Sequence, residues 1–342
     1  SYEYSFNDRW KENPRHYIRL STEKTNSFPG QELEFFSPDN VLLSFRRGRA
    51  TDMLLSKKYD FRYVNEGNGF NYTLGAQRVE RHPYGTMQFL TQGNDGEILS
   101  LNNINSSEIY TTLRYAPNEA FIQGKEGRTQ LYNEYPIIEM RINQGLSGIF
   151  NDDHTFTRAY LNVFKQIEWT RIGTTDIIFE GGKIFGQVPY LLTFIPRGNQ
   201  TYANFKRSFN MMNFMEFAND QFLSINIEHF SYGFFMNRIP LIKKLQLREV
   251  FGLKAYYGGL TSSNNPNKNP DLIQFVRDDQ NVPITYTMDG IPYVEANFGF
   301  TNIFKIFRVD IIKRFTHLDN PRLPKLFGRK GMGIRFNFYV EL

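Results

Sequence analysis

Chemistry at a protein site needs nucleophiles, metal ligands or paired acids and bases, and this chain offers few of them. It has no cysteine, which excludes thiolate catalysis, disulfides and cysteine-bound metals. The five histidines, His16, His82, His154, His229 and His317, stand far apart in sequence. None shares metal-ligand spacing with another. Asp152-Asp153-His154 is the one local group of acids and a histidine. It lacks a supporting ligand set and reads as an exposed loop. Gly181-Gly182-Lys183 follows the strand-like run Ile177-Ile178-Phe179-Glu180, but a phosphate loop needs Gly-x-x-x-x-Gly-Lys-Ser/Thr. Paired glycines in a strand more often mark a bend or a close backbone approach. The reading is therefore of no catalytic residue, no cofactor and no metal site.

The charges are more informative. Glu295, Arg308, Asp310, Arg335 and Glu341 fall on the polar faces of three consecutive C-terminal segments. If those faces line a lumen, the charges pair across strands. Two readings follow: a selectivity or gating network, or plain structural pairing that fills a narrow lumen, the simpler of the two. Basic clusters at Arg46, Arg47 and Arg49, at Lys57 and Lys58, and at Lys243 and Lys244 would suit anionic lipid or nucleic acid. They lie in different segments with no nucleic-acid motif, so solvated loops and turns explain them and no nucleic-acid partner is expected.

The elements that position these residues repeat with period two. In the C-terminal segment Ile334, Phe336, Phe338, Val340 and Leu342 share one face, and Gly333, Arg335, Asn337, Tyr339 and Glu341 the other. Successive strand side chains point to opposite faces, so this is an apolar wall backed by a polar one. Val294, Ala296, Phe298 and Phe300 oppose Tyr293, Glu295, Asn297 and Gly299. Phe307, Val309, Ile311 and Phe315 oppose Arg308, Asp310 and Arg314. Residues 109–115, 138–143 and 223–228 alternate likewise, and weaker strands are expected near 15–23, 41–47, 59–64, 70–78, 85–91, 159–169, 175–184, 188–195, 208–217 and 246–258. A phase slip at Phe164 and Lys165 is consistent with a bulge. Helical apolar stripes are nearly absent. The run from Thr261 to Pro270 reads as a long exposed loop, and no linker divides the chain.

Composition explains why one face is so greasy. Phe, Trp and Tyr make up 16% of 342 residues, yet the mean hydropathy is -0.48. The two agree if one wall faces lipid and the other a wet lumen, because alternation averages the hydropathy. No run of about 18 apolar residues exists, so a spanning helix is excluded. A barrel is the remaining spanning structure, since every backbone polar group in hydrocarbon must be paired. The expected fold is all-β: a closed antiparallel transmembrane β-barrel of about 16 strands, with short periplasmic turns and longer extracellular loops. Residues 1–342 are read as one outer-membrane barrel domain, without the export signal such a protein needs. In this reading Ile334, Phe336, Phe338 and Val340 face lipid, while Glu295, Arg308, Asp310, Arg335 and Glu341 face the lumen.

From about residue 106 onward the chain resembles a known family. The resemblance rests on Ile109-Tyr110-Thr111-Thr112-Leu113-Arg114-Tyr115-Ala116-Pro117, on Gly181-Gly182-Lys183-Ile184-Phe185-Gly186, and on Phe209-Asn210-Met211-Met212-Asn213-Phe214-Met215-Glu216-Phe217. Its most specific run is Gly233-Phe234-Phe235-Met236-Asn237-Arg238-Ile239-Pro240-Leu241-Ile242-Lys243-Lys244-Leu245, between Glu228-His229-Phe230 and Arg248-Glu249-Val250. These motifs resemble a Bacteroidota outer-membrane family of unknown function. Its full-length members carry an N-terminal carboxypeptidase-regulatory-like domain, a small β-sandwich that is absent here. The barrel is distantly similar to the outer-membrane assembly-factor and two-partner-secretion superfamily, which implies sixteen strands. That superfamily carries Val-Arg-Gly-Tyr/Phe on a loop folded into the lumen. Here the nearest stretch is Pro196-Arg197-Gly198-Asn199, without the aromatic, so an insertase activity is not carried over.

The expected function is non-enzymatic: an integral barrel of the bacterial outer membrane serving assembly, transport or scaffolding within a larger complex. Its partners would be outer-membrane lipid and lipopolysaccharide, with other outer-membrane proteins or lipoproteins. The alternative is a passive or gated pore for small solutes. A plugged lumen favours the first and a continuous wet channel the second.

Overall fold

The computed structural model describes residues 1–6, 15–30, 52–93, 95, 97–124, 127–131, 133–149, 152, 154–278 and 280–338. The strands are β1 (Tyr2–Ser5), β2 (His16–Ser27), β3 (Asp52–Glu66), β4 (Phe70–Gly85), β5 (Phe89–Gln92), β6 (Ile98–Leu101), β7 (Ile104–Tyr115), β8 (Phe121–Gly124), β9 (Gly127–Gln130), β10 (Ile137–Gly145), β11 (Phe156–Trp169), β12 (Gly173–Phe185), β13 (Gln221–Phe230), β14 (Arg248–Gly259), β15 (Tyr293–Ile303), β16 (Phe307–Arg314), β17 (Lys325–Leu326), β18 (Arg329–Lys330) and β19 (Met332–Phe338). Thirteen of them form one sheet in the order β1-β2-β3-β4-β7-β10-β11-β12-β13-β14-β15-β16-β19. Every neighbouring pair is antiparallel. The other six strands pair as three small hairpins.

The fold is thus all-β with large antiparallel sheets, as the alternation predicts. The pleat sends alternate side chains to opposite faces, and the two faces differ in chemistry. On β15, Tyr293, Glu295, Asn297 and Gly299 are buried while Phe298 is exposed. On β16, Arg308, Asp310, Ile312 and Arg314 are buried while Phe307 and Ile311 are exposed. We call these the covered and the open face. Tyr59, Phe61, Leu74, Ile109, Leu113, Leu223, Leu253 and Tyr257 continue the open face in the other strands.

Connections at the two ends of the sheet differ. At one end lie the turns 67–69, 170–172 and 304–306, with the longer links 116–136 and 231–247. At the other lie 28–51, 86–103, 146–155, 186–220, 260–292 and 315–331. The three-residue turns therefore all lie at one end.

Several local expectations need correction. Residues 188–195 and 208–217 are not strands. They belong to an irregular buried segment whose apolar side chains pack on the covered face instead of alternating in a ladder. Residues 85–91 divide between the end of β4 and the start of β5. The slip at Phe164 and Lys165 is not a bulge, because β11 pairs with β12 without interruption there. Phe164 instead lies under the Lys206 ammonium, 5.3 Å from its ring centre, and Lys165 reaches the Glu134 carbonyl. A cation–π contact stabilises an aromatic ring on the polar side. The irregularity in register falls between Phe300 and Ile303. The loop after Thr261 is not fully exposed: Asn264 and Asn265 are buried. Farther along, Ile273, Phe275 and Val276 join Leu54, Phe89, Tyr190 and Leu192 in one apolar cluster. The expected strand at 41–47 and the Arg46, Arg47 and Arg49 cluster lie outside the described residues.

Candidate functional site

The chain between β12 and β13, residues 186–220, is, among the described residues, a long non-strand stretch that is largely buried. It has one 3-10 turn, Tyr190–Leu192. The rest doubles back on itself through single bridges, Phe194 with Asn219 and Gly198 with Phe209. An irregular buried backbone cannot use a ladder, so its polar groups need other partners. Asparagines supply many of them. Asn199 Nδ2 donates to the Ala203 carbonyl at 2.7 Å and to Asn210 Oδ1 at 2.6 Å. Asn199 Oδ1 accepts from the Thr201 backbone and hydroxyl, both at 2.8 Å. Asn210 Nδ2 donates to Asn204 Oδ1 at 2.8 Å.

This strap is latched to the covered face on both sides. Toward the C-terminal strands, the Glu295 carboxylate accepts the backbone N–H of Asn210 at 2.8 Å and of Met211 at 2.9 Å, together with the Tyr293 hydroxyl at 2.7 Å. Asn204 donates to Asp310 at 2.7 Å, and Asp310 also accepts from Arg308 Nε at 2.7 Å. Arg308 reaches Glu228 on β13, across two intervening strands. Arg314 and Glu216 form a two-pronged pair at 2.7 and 3.1 Å, with Asn320 donating to the same carboxylate at 2.9 Å. Arg335 donates to the Asn210 carbonyl at 2.5 Å. Lys254 donates to the carbonyls of Phe205 and Ser208 at 2.8 and 2.7 Å. Toward the N-terminal strands, Arg197 pairs with Glu180 at 2.5 Å, which Tyr160 also reaches at 2.5 Å. Lys206 pairs with Asp176 at 2.5 Å. Burial opposes the charge on Arg197, but Glu180 and Tyr160 outweigh it and raise its pKa above the ordinary guanidinium value.

The wall is shaped to receive the strap. A Cβ on Gly182 of β12 would stand 2.6 Å from the Phe194 ring and 2.8 Å from Phe222. One on Gly258 of β14 would stand 2.3 Å from Asn219 Oδ1, and one on Gly333 of β19 would stand 3.1 Å from Met211 Sδ. Three covered-face glycines thus mark where strap side chains rest on backbone, the close approach that paired glycines predict. Around them Phe209, Met212 and Phe217 pack with Tyr160, Phe222, Tyr256 and Tyr293. A cavity of about 110 Å³ remains between strap and wall, lined in part by Arg158, Glu180, Arg197 and Tyr256. It has room for a few water molecules.

Of the residues expected to share a lumen, Glu295, Arg308, Asp310 and Arg335 all lie buried on the covered face, and each bonds the strap or a residue that does. Glu341 lies outside the described residues, as does Val340. Phe336 and Phe338 are exposed on the open face, and Ile334 is half-buried there. The period-two reading missed the partners: Glu216, Glu228, Glu180, Lys254, Asn204 and Asn210. The density of asparagine between 199 and 219 is the signal that would have found the strap. Asp152 is buried beside Arg78 at 3.4 Å, a correction to the exposed-loop reading, and Asp153 lies outside the described residues. Among the described residues no three histidines, aspartates or glutamates cluster as a metal site. Chemically the arrangement holds a segment in place.

Residues 55–265 match the model of a family of unknown function (DUF5686), C-terminal domain. The matched stretch runs from within β3 past β14 and contains the whole strap. No curated protein matches the chain.

Proposed function

The chain belongs to the DUF5686 family of unknown function, and from that premise we propose that it is an integral barrel of the bacterial outer membrane, closed around its own strap. In this reading the thirteen-stranded sheet is the greater part of a wall of about sixteen strands. The open face meets lipid, and the covered face is the lumen. The barrel serves outer-membrane assembly or scaffolds a larger complex, with lipid, lipopolysaccharide and other outer-membrane proteins or lipoproteins as its partners. Bacteroidota is the source that the sequence resemblance implies.

The observation that carries the reading is the strap. A soluble sheet protein buries its apolar face and shows its polar one. Here the order is reversed: Glu295, Asp310, Arg314 and Arg335 are inside, and Phe298, Ile311, Phe336 and Phe338 are outside. That reversal suits a chain with hydrocarbon around it. A filled interior also favours assembly or scaffolding over a solute pore, because conduction needs a continuous path. Planar-bilayer conductance and purification in mild detergent test this together. The proposal expects no steady conductance and stable co-purifying outer-membrane partners. A large open-channel current from a protein that purifies alone would refute it in favour of the pore.

A further inference from the structure

The link between β13 and β14, residues 231–247, lies at the short-turn end and is unusually greasy for a connection. Phe235, Ile239, Leu241 and Leu245 are exposed, Leu241 at 80%. The neighbouring turn between β15 and β16 adds Phe304, exposed at 87%. The two are tied: Asn302 Nδ2 donates to the Gln246 carbonyl at 2.7 Å. The link is held firmly, since buried Glu249 accepts from the Ser231 hydroxyl and the Met236 backbone. These side chains are therefore presented by an ordered support.

Two features say what covers them. The first is charge. From His229 to Arg248 there is no Asp or Glu, while Arg238, Lys243 and Lys244 are present, and Lys305 stands beside Phe304. The second is continuity. Rings run without a break from the link onto the open face: Phe235 to Phe251 at 6.2 Å, Phe251 to Phe298 at 5.2 Å, Phe298 to Phe300 at 4.9 Å. Apolar side chains that continue a lipid-facing surface and carry a basic rim suit the headgroup region of a bilayer. We propose that the 231–247 link and the 304–306 turn form a platform seated among anionic phospholipid headgroups at the short-turn end. This rests on the barrel reading.

The test places a reporter in the full chain, reconstituted in vesicles of phosphatidylcholine with or without phosphatidylglycerol. Leu241→Trp reports the platform, and Phe298→Trp reports the open face. Emission is read against the parent chain, which has Trp10 and Trp169, and heat-modifiable mobility confirms folding. The platform predicts that Leu241→Trp emits at shorter wavelength than an exposed indole and is quenched by brominated acyl chains. The quenching should strengthen with phosphatidylglycerol and lose that increment in Lys243→Gln/Lys244→Gln/Lys305→Gln. A water-like, unquenched Leu241→Trp beside a quenched Phe298→Trp overturns the platform alone and makes a protein partner the reading of these side chains. If neither is quenched, the barrel reading falls and the platform with it.

Discussion

Glu216→Ala should release the strap. Glu216 and Arg314 are both essentially inaccessible to solvent, and the carboxylate also accepts from Asn320 and from the Asn213 backbone at 2.8 Å. Removing one partner of a buried pair leaves an uncompensated charge, which costs roughly 3–5 kcal/mol. At about 1.4 kcal/mol for each factor of ten, the strap's released population should rise by a factor of roughly 10² to 4 × 10³. The double variant Glu216→Met/Arg314→Met should recover most of the loss, because an apolar pair of similar volume removes both desolvation penalties. Urea unfolding in detergent measures the overall cost, and limited proteolysis measures cutting within residues 186–220. A single-variant cost below about 1 kcal/mol, the level of a surface pair, would refute the claim that this pair latches the strap. A double variant worse than either single would do the same.

Three further outcomes are expected. Gly182→Val should destabilise by roughly 1–3 kcal/mol through overpacking against Phe194 and Phe222, whereas Gly181→Val, which meets only Leu223 and the Phe222 carbonyl, should cost less; thermal melts of the two compare them. Phe336→Arg should impair folding by roughly 2–4 kcal/mol if the open face meets lipid, while Asn337→Ser should leave heat-modifiable mobility unchanged; equal yields would show that the faces are assigned the wrong way round. Finally, the Arg322 guanidinium at 2.5 Å holds Asp278 below its ordinary value of 3.8. A depressed carboxylate stabilises above its unfolded pKa, so this clasp between two long links should be intact above pH 3.8 and weaken as pH falls through the lower folded value; acid-dependent cleavage of these links, flattened by Arg322→Gln, is the measure.

The wall was legible because its signal is local. Ile334, Phe336 and Phe338 against Arg335 and Asn337 need only the pleat to be sorted, and the same holds for β15 and β16. Charge on one face was legible for the same reason. What periodicity cannot carry is the identity of a partner that comes from elsewhere in the chain. Arg308 finds Glu228 eighty residues away, and Glu295 finds backbone amides of Asn210 and Met211. The strap itself was misread as strands at 188–195 and 208–217 because apolar side chains recur there. Recurrence reports burial without saying whether a neighbour strand or a facing wall does the burying. Met215, in a turn with a φ of 56°, takes a left-handed backbone conformation that no hydropathy pattern records.

The strap's anchors also fall on both sides of it in the chain. Tyr160, Asp176 and Glu180 precede it, so these partners can meet it early. Asp310 lies 106 residues from Asn204, and Arg335 lies 125 from Asn210. Contacts of such separation form late, because the intervening loop must close first. A segment held first by β11 and β12 would present its carbonyls, amides and carboxylates to the later strands. A wall assembled with a slipped register in β15, β16 or β19 would turn Phe298, Ile311 or Phe336 toward those groups and leave them unanswered. The register of β15, β16 and β19 is thus tied to the strap through Glu295, Asp310 and Arg335.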